Sequence, residues 1–289
     1  MASNDLRFDA LMPAEMAAQA ERVGVRKAGL DATSTFALAV LAGAFISLGA
    51  IFATTVSAGG AVLPFGVVRL LAGVTFSLGL ILVIVGGAEL FTGNTLIVMA
   101  WASRKVPTTR LLRNWVIVYA GNFVGATATA LVMFVSGQYA FGAGTVGAAA
   151  LATGNAKAGL DFIPAVALGM MCNALVCLAV WLAFSARTTT DRILAIVPPI
   201  AAFVAAGFEH SVANMYFIPE ALLIRASAPA AFWTAIGKTP ADYPNLTIQG
   251  FLANNLLPVT LGNIVGGAVM VGIVYWFIYL RSARHSVGD

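Results

Sequence analysis

The sequence predicts an all-α membrane protein: six spans in two inverted three-helix repeats, with the second and fifth helices broken. Three observations predict it. Of 289 residues, 60% are hydrophobic and only 10% charged, against about 25% charged in an ordinary soluble domain. Apolar windows near 36–56, 66–102, 115–135, 162–184, 193–224 and 252–280 each exceed the ~20 residues that a spanning helix needs. The chain also repeats itself. Residues 87–94 and 207–214 share G-x-E-x-x-x-x-N, and residues 114–125 and 255–266 share N-x-x-x-V-x-x-G-N-[FI]-V-G. A weaker echo sets Gly43 and Ser47 against Gly169 and Asn173. Three spans per repeat is an odd number, so the two halves must insert in opposite senses.

Taken in order, residues 1–34 read as a cytoplasmic segment with no signal peptide, because no apolar core precedes Thr35. Within it Asp9 to Val23 is an amphipathic helix with Pro13 in its first turn and Leu11, Met16, Ala20 and Val23 toward one face. Residues 35–281 form one six-span transmembrane channel domain, with ordered outer loops near 136–161 and 225–247, and 282–289 are a cytoplasmic tail. Gly121, Gly125, Gly262 and Gly266 make small-xxx-small pairs in the third and sixth spans, which let backbones approach. Basic residues cluster at the ends of the spans. With both termini inside, twelve lie on the cytoplasmic side, Arg7, Arg104 and Arg284 among them, and four outside: Arg69, Lys157, Arg225 and Lys238. That distribution explains the net charge of +4 and gives no support to nucleic-acid binding.

The second and fifth windows are too long for one span and carry polar residues at their centres. An ionisable side chain there costs about 2.5–3.5 kcal/mol on insertion scales. Broken helices persist at that depth only where protein or a water-filled cavity satisfies the freed backbone. Each helix that restarts presents unpaired N–H groups with a partial positive charge, and two such ends facing one cavity make an anion site. Thr92 and Asn94 are candidate caps for one, Ser211 or Asn214 for the other. His210, the one histidine within the spans, can donate a hydrogen bond or a proton to an anion. A buried neutral histidine satisfied by backbone is the plainer reading of the same residue. Glu89 and Glu209 read as structural acids beside half-helix N-termini. Phe76, Leu80, Leu90, Phe91 and Phe203 flank the breaks, either as packing or as constrictions that exclude hydrated ions. Lys157 is either an anion-steering residue or a solvated loop lysine. Two cysteines on one helix and a single membrane histidine offer no metal-ligand cluster, no cofactor motif is present, and no P-loop supports ATP-driven transport.

These stretches resemble the formate/nitrite transporter family, and its formate channels most. The matching residues are GFEHSVANM from Gly207, GAELFT from Gly87, FSLGLIL from Phe76, the segment 114–125, Pro64–Gly66 and Pro258–Gly267. The resemblance runs from about Phe8 to Arg281. It implies an aquaporin-like protomer, a homopentamer with one pore per protomer, and passage of a small anion. Position by position, it places Phe76, Leu80, Ala213 and Phe203 at an outer constriction and Leu90, Phe91, Val176 and Phe203 at an inner one. His210, Thr92 and Asn173 would contact substrate between them, with Lys157 on the outer approach. Asn94, Asn214, Asn122 and Asn263 would be structural at the breaks, and the N-terminal helix a pH-responsive gate. Two departures are Glu89, where some formate channels carry aspartate, and Gly93-Asn94, where others carry small hydroxyl residues. The expectation is a bacterial inner-membrane channel or proton-coupled carrier for formate, with nitrite and hydrosulfide as alternatives within the family. A water or glycerol channel is the alternative from another class.

Overall fold

An apolar stretch in lipid is cheapest as a helix, because every backbone group then bonds within its own segment. The computed structural model describes residues 10–59 and 63–281. Arg7, Asp9, Arg284 and the tail 282–289 lie outside the described residues. In chain order the helices are α1 (Pro13–Gly29), α2 (Ala32–Ser57), α3 (Phe65–Gly86), α4 (Phe91–Ala102) and α5 (Thr108–Ser136). Then come α6 (Thr145–Ala158), α7 (Phe162–Ser185), α8 (Thr189–Ala206), α9 (Ser211–Ser227), α10 (Ala230–Ile236) and α11 (Gly250–Tyr279). Six of them, α2, α3, α5, α7, α8 and α11, are long and apolar enough to span a membrane. The described residues contain no strand.

The broken spans are α3 followed by α4, and α8 followed by α9. Each repeat is therefore four pieces: a lead helix (α1 or α6), a span, a broken span and a closing span. The lead helices were not part of the expected repeat. α1 begins at Pro13, as its first-turn proline predicts, and runs to Gly29 instead of stopping at Val23. It buries Met16, Ala17, Ala20, Gly24 and Ala28 and packs on α4 and α7. It is a docked part of the fold. Asp31 starts α2 by accepting the Ser34 N–H at 2.9 Å, and that bond holds its carboxyl below the usual carboxylate range.

Closing spans lie against first spans at backbone contact. A Cβ added at Gly125 would sit 2.0 Å from the Val40 carbonyl oxygen, and one at Gly266 would sit 2.1 Å from that of Met170. The two contacts are equivalent by the repeat. The repeats also interlock, since α4 packs on α11 and α9 packs on α5. One expectation needs correction. The carbonyls of Ala39 and Gly169 accept equivalent bonds, from Asn122 and Asn263, so the echo pairing Gly43 with Gly169 is out of register by one helical turn. Small residues recur at every turn along these faces and suggested the slip, although G-x-x-K-A-G-L-D at 24–31 and 154–161 carries the correct register.

Replacing Gly266 by alanine should therefore force α11 and α7 apart, at a cost of about 1–3 kcal/mol. Thermal unfolding in detergent should show a lower melting temperature for Gly266→Ala. Gly66→Ala, where nothing lies within 4 Å, should melt like the parent.

Candidate functional site at the helix breaks

Both first halves end on glycine in the left-handed region, Gly87 at φ +82° and Gly207 at φ +79°, which a Cβ would strain. The chain then leaves helix for three residues before restarting. Glu89 N–H donates to the Leu38 carbonyl at 3.2 Å and Glu209 N–H to that of Leu168 at 3.3 Å. Asn122 Oδ1 accepts the Phe91 N–H at 2.9 Å, and its Nδ2 donates to the carbonyls of Ala39 and Glu89 at 2.7 and 2.9 Å. Asn263 repeats this arrangement with the Ser211 N–H at 2.9 Å and the carbonyls of Gly169 and Glu209 at 2.8 and 2.9 Å. The half-helix caps thus come from the closing spans, plus His210, whose Nδ1 accepts the Ala213 N–H at 3.0 Å. This corrects the expected caps: Thr92 and Asn94 cap nothing, and Ser211 Oγ has no partner.

The acids sit in matched clamps. Lys27 Nζ donates to Glu89 Oε1 at 2.8 Å and to Asn94 Oδ1 at 3.0 Å. Asn94 Nδ2 donates to Glu89 Oε2 at 2.7 Å and to Asn114 Oδ1 at 2.9 Å. In the other half Lys157 Nζ donates to Glu209 Oε1 at 2.8 Å, and Asn214 Nδ2 donates to Glu209 Oε2 and Asn255 Oδ1, both at 2.7 Å. Asn114 and Asn255 close each ring by donating to the backbone carbonyls of Lys27 and Lys157. Sequence reading missed Lys27, Asn114 and Asn255 as site residues. Both asparagines open the shared motif, so a signal existed for them. Lys27 had one as well, overlooked in that reading: residues 24–31 and 154–161 share G-x-x-K-A-G-L-D, which pairs Lys27 with Lys157. Lys157 lines the cavity on the α6 side, with its charge paired to Glu209.

The two half-helix N-termini meet where Thr92 Oγ lies 2.9 Å from His210 Nε2. Because Nδ1 accepts a backbone N–H, the neutral ring carries its proton on Nε2 and donates it to Thr92. The threonine hydroxyl proton is left to point elsewhere. Asn173 stands behind this pair, donating to the Asn263 carbonyl at 2.6 Å and to Thr92 O and Thr95 Oγ at 3.2 Å. Its amide ties α7 to α4 and α11 and so fixes where Thr92 sits.

Two cavities approach this junction. One, of about 480 Å³ on the α6 side, includes Phe76, Phe203, His210, Ala213 and Lys157 in its lining; the other, of about 380 Å³ on the α1 side, includes Leu80, Leu90, Lys27 and Glu89. Leu80 thus borders the α1-side cavity while Phe76 borders the opposite one. Phe76 meets Phe203 edge-on at 5.6 Å between centroids, and Phe203 stacks on His210 at 6.0 Å. Leu90, Phe91 and Val176 are almost fully buried, and Phe91 packs edge-on against Tyr119 at 4.9 Å. Apolar side chains therefore lie on both sides of a polar pair.

Breaking one clamp partner leaves a half-buried charge uncompensated, so Glu209→Gln should destabilise the fold by about 3 kcal/mol. Adding Lys157→Gln should recover part of that loss, and a double-mutant cycle on unfolding in detergent measures the coupling. Strict additivity would mean the pair does not act as a unit.

The formate/nitrite transporter family matches this chain over residues 14–277. The formate channel FocA of Escherichia coli strain K12 is 47% identical over 281 residues, covering 97% of this chain and 99% of that one. FocA of Haemophilus influenzae is 41% identical, covering 94% and 97%. Among solved structures, a pentameric formate channel with formate bound superposes with a TM-score of 0.83 at 47% identity, covering 86% of this chain and 98% of that one. A formate/nitrite-type ion channel gives 0.77 at 29%, covering 91% and 98%. This multi-pass membrane protein belongs to the formate/nitrite transporter family.

Proposed function

We propose that the chain is a channel or proton-coupled carrier for small monovalent anions, formate first. In this reading it works as a homopentamer in a bacterial inner membrane with both termini cytoplasmic. The observation that carries the reading is the Thr92–His210 pair, set where two half-helix N-termini meet between apolar constrictions. Full-length identity to formate channels and likeness to a pentameric, formate-bound channel support the substrate and the assembly.

An anion crossing Phe76, Phe203 and Ala213 sheds water, which is costly without compensation. The first-turn N–H groups of α4 and α9 and the Thr92 hydroxyl replace part of that shell. His210 orients the hydroxyl by donating to it. A second proton on the ring must sit on Nδ1, and the Ala213 N–H then loses its acceptor. Proton exchange with a passing anion is therefore coupled to the first turn of α9. By sharing a proton the anion crosses Leu90, Phe91 and Val176 closer to the neutral acid, then returns it. Asn173 positions Thr92. Residues 1–26 modulate flux with pH, while Lys27 holds the end of α1 to Glu89.

Flux into proteoliposomes, comparing formate, nitrite, lactate and glycerol at two pH values, tests the reading. Formate should pass faster at low pH, and glycerol passage without anion passage would replace this reading with a neutral-solute channel. His210→Asn keeps a donor but cannot exchange a proton, so it should slow formate uptake at low pH while pentamers still assemble. Parent-like uptake across pH would reduce His210 to a cap. In the same assay, removing residues 1–26 should flatten the pH profile.

Orientation rests on the twelve-to-four division of basic residues. Cysteine at Thr145, an exposed position at the start of α6, should react with an impermeant thiol reagent on intact cells. Cysteine at exposed Arg110 should not. Reversed labelling would invert the topology.

A further inference from the structure

The charges of the α6-side cavity do not add up to an anion receiver through its lysine. Among the described residues its lining holds three charged groups: Arg69, Lys157 and Glu209. Lys157 and Glu209 neutralise each other at 2.8 Å. Arg69 alone gives the lining its net positive charge.

The geometry of that guanidinium is specific. Its Nε donates to the Ala205 carbonyl at 3.2 Å, and Nη2 donates to the carbonyl of Val204. These two groups form one fork of the guanidinium, and it is spent on the last turn of α8. The other fork, Nη1 with the second N–H of Nη2, makes no hydrogen bond to the described residues. We propose that Arg69, and not Lys157, receives the anion in this cavity. The second fork matches a planar anion with two oxygens, such as a carboxylate or nitrite, in bidentate geometry. Because the first fork is anchored to α8, whose C-terminus leads into the loop carrying His210, the docked anion is held beside the break. This rests on the anion-passage reading above and names the residue that gathers the substrate.

A pure helix-capping role for Arg69 is the competing account, since a cation at a helix C-terminus is stabilising by itself. Flux kinetics separate the two. Arg69→Gln, which keeps an amide donor for the carbonyls, should raise the apparent KM for formate entering from the α6 side about five-fold at low ionic strength. The difference should shrink as salt screens the charge. Arg69→Lys, which keeps the charge but has no planar fork, should give a KM between those of the parent and Arg69→Gln. An unchanged KM in Arg69→Gln, with or without a lower melting temperature, would leave Arg69 a cap and overturn the proposal.

A readout independent of flux keeps the proposal separable from the channel reading. Phenylglyoxal modification of Arg69 in the purified parent, followed by mass spectrometry, should be slowed by formate and not by glycerol. If the parent passes no formate yet formate protects Arg69, the anion site stands and the channel reading falls. If formate neither passes nor protects, both fall.

Discussion

A helix that stops and restarts inside a bilayer frees backbone donors and acceptors that lipid cannot satisfy. The rest of this structure depends on meeting that demand twice. Asn122 and Asn263 each take one freed N–H and supply two carbonyls. Each stands on a closing span that can reach the break only because Gly125 and Gly266 bring it to backbone contact with the first span. Close packing is what makes the break tolerable, and the break is what creates the passage.

The acids follow the same logic. Glu89 and Glu209 are buried charges in spanning segments, and each is made tolerable by a lysine from a lead helix and two asparagines. Buried ion pairs contribute little net stability. Their consequence here is electrostatic: each acid is cancelled by its lysine within the clamp. At the junction itself the polar groups are half-helix N-termini, a threonine hydroxyl and an imidazole.

Inversion gives the molecule its two-sidedness. The α1 and α6 sides carry the same clamp, yet the apolar residues that close them differ, aromatic toward α6 and largely leucine toward α1. The single polar pair lies where the halves meet, one partner from each repeat. Neither half alone contains the site.

Six spans, two breaks, an inverted repeat and the polar residues Glu89, Glu209 and His210 at the breaks were all legible in the sequence. Hydrophobic length and a polar interruption are local signals, and a repeated motif is legible wherever both copies keep it. Tertiary structure alone decided what those residues touch. It moved the caps from Thr92, Asn94 and Ser211 or Asn214 to Asn122, Asn263 and His210, and it gave Glu89 the partner Lys27. It joined Lys157 to Glu209. It also slipped the expected alignment of α2 with α7 by one turn. Hydrogen-bond partners of a broken helix lie on other helices, at separations that no local pattern encodes. Small residues recurring every turn suggested a register one turn off, which the G-x-x-K-A-G-L-D shared by 24–31 and 154–161 does not support.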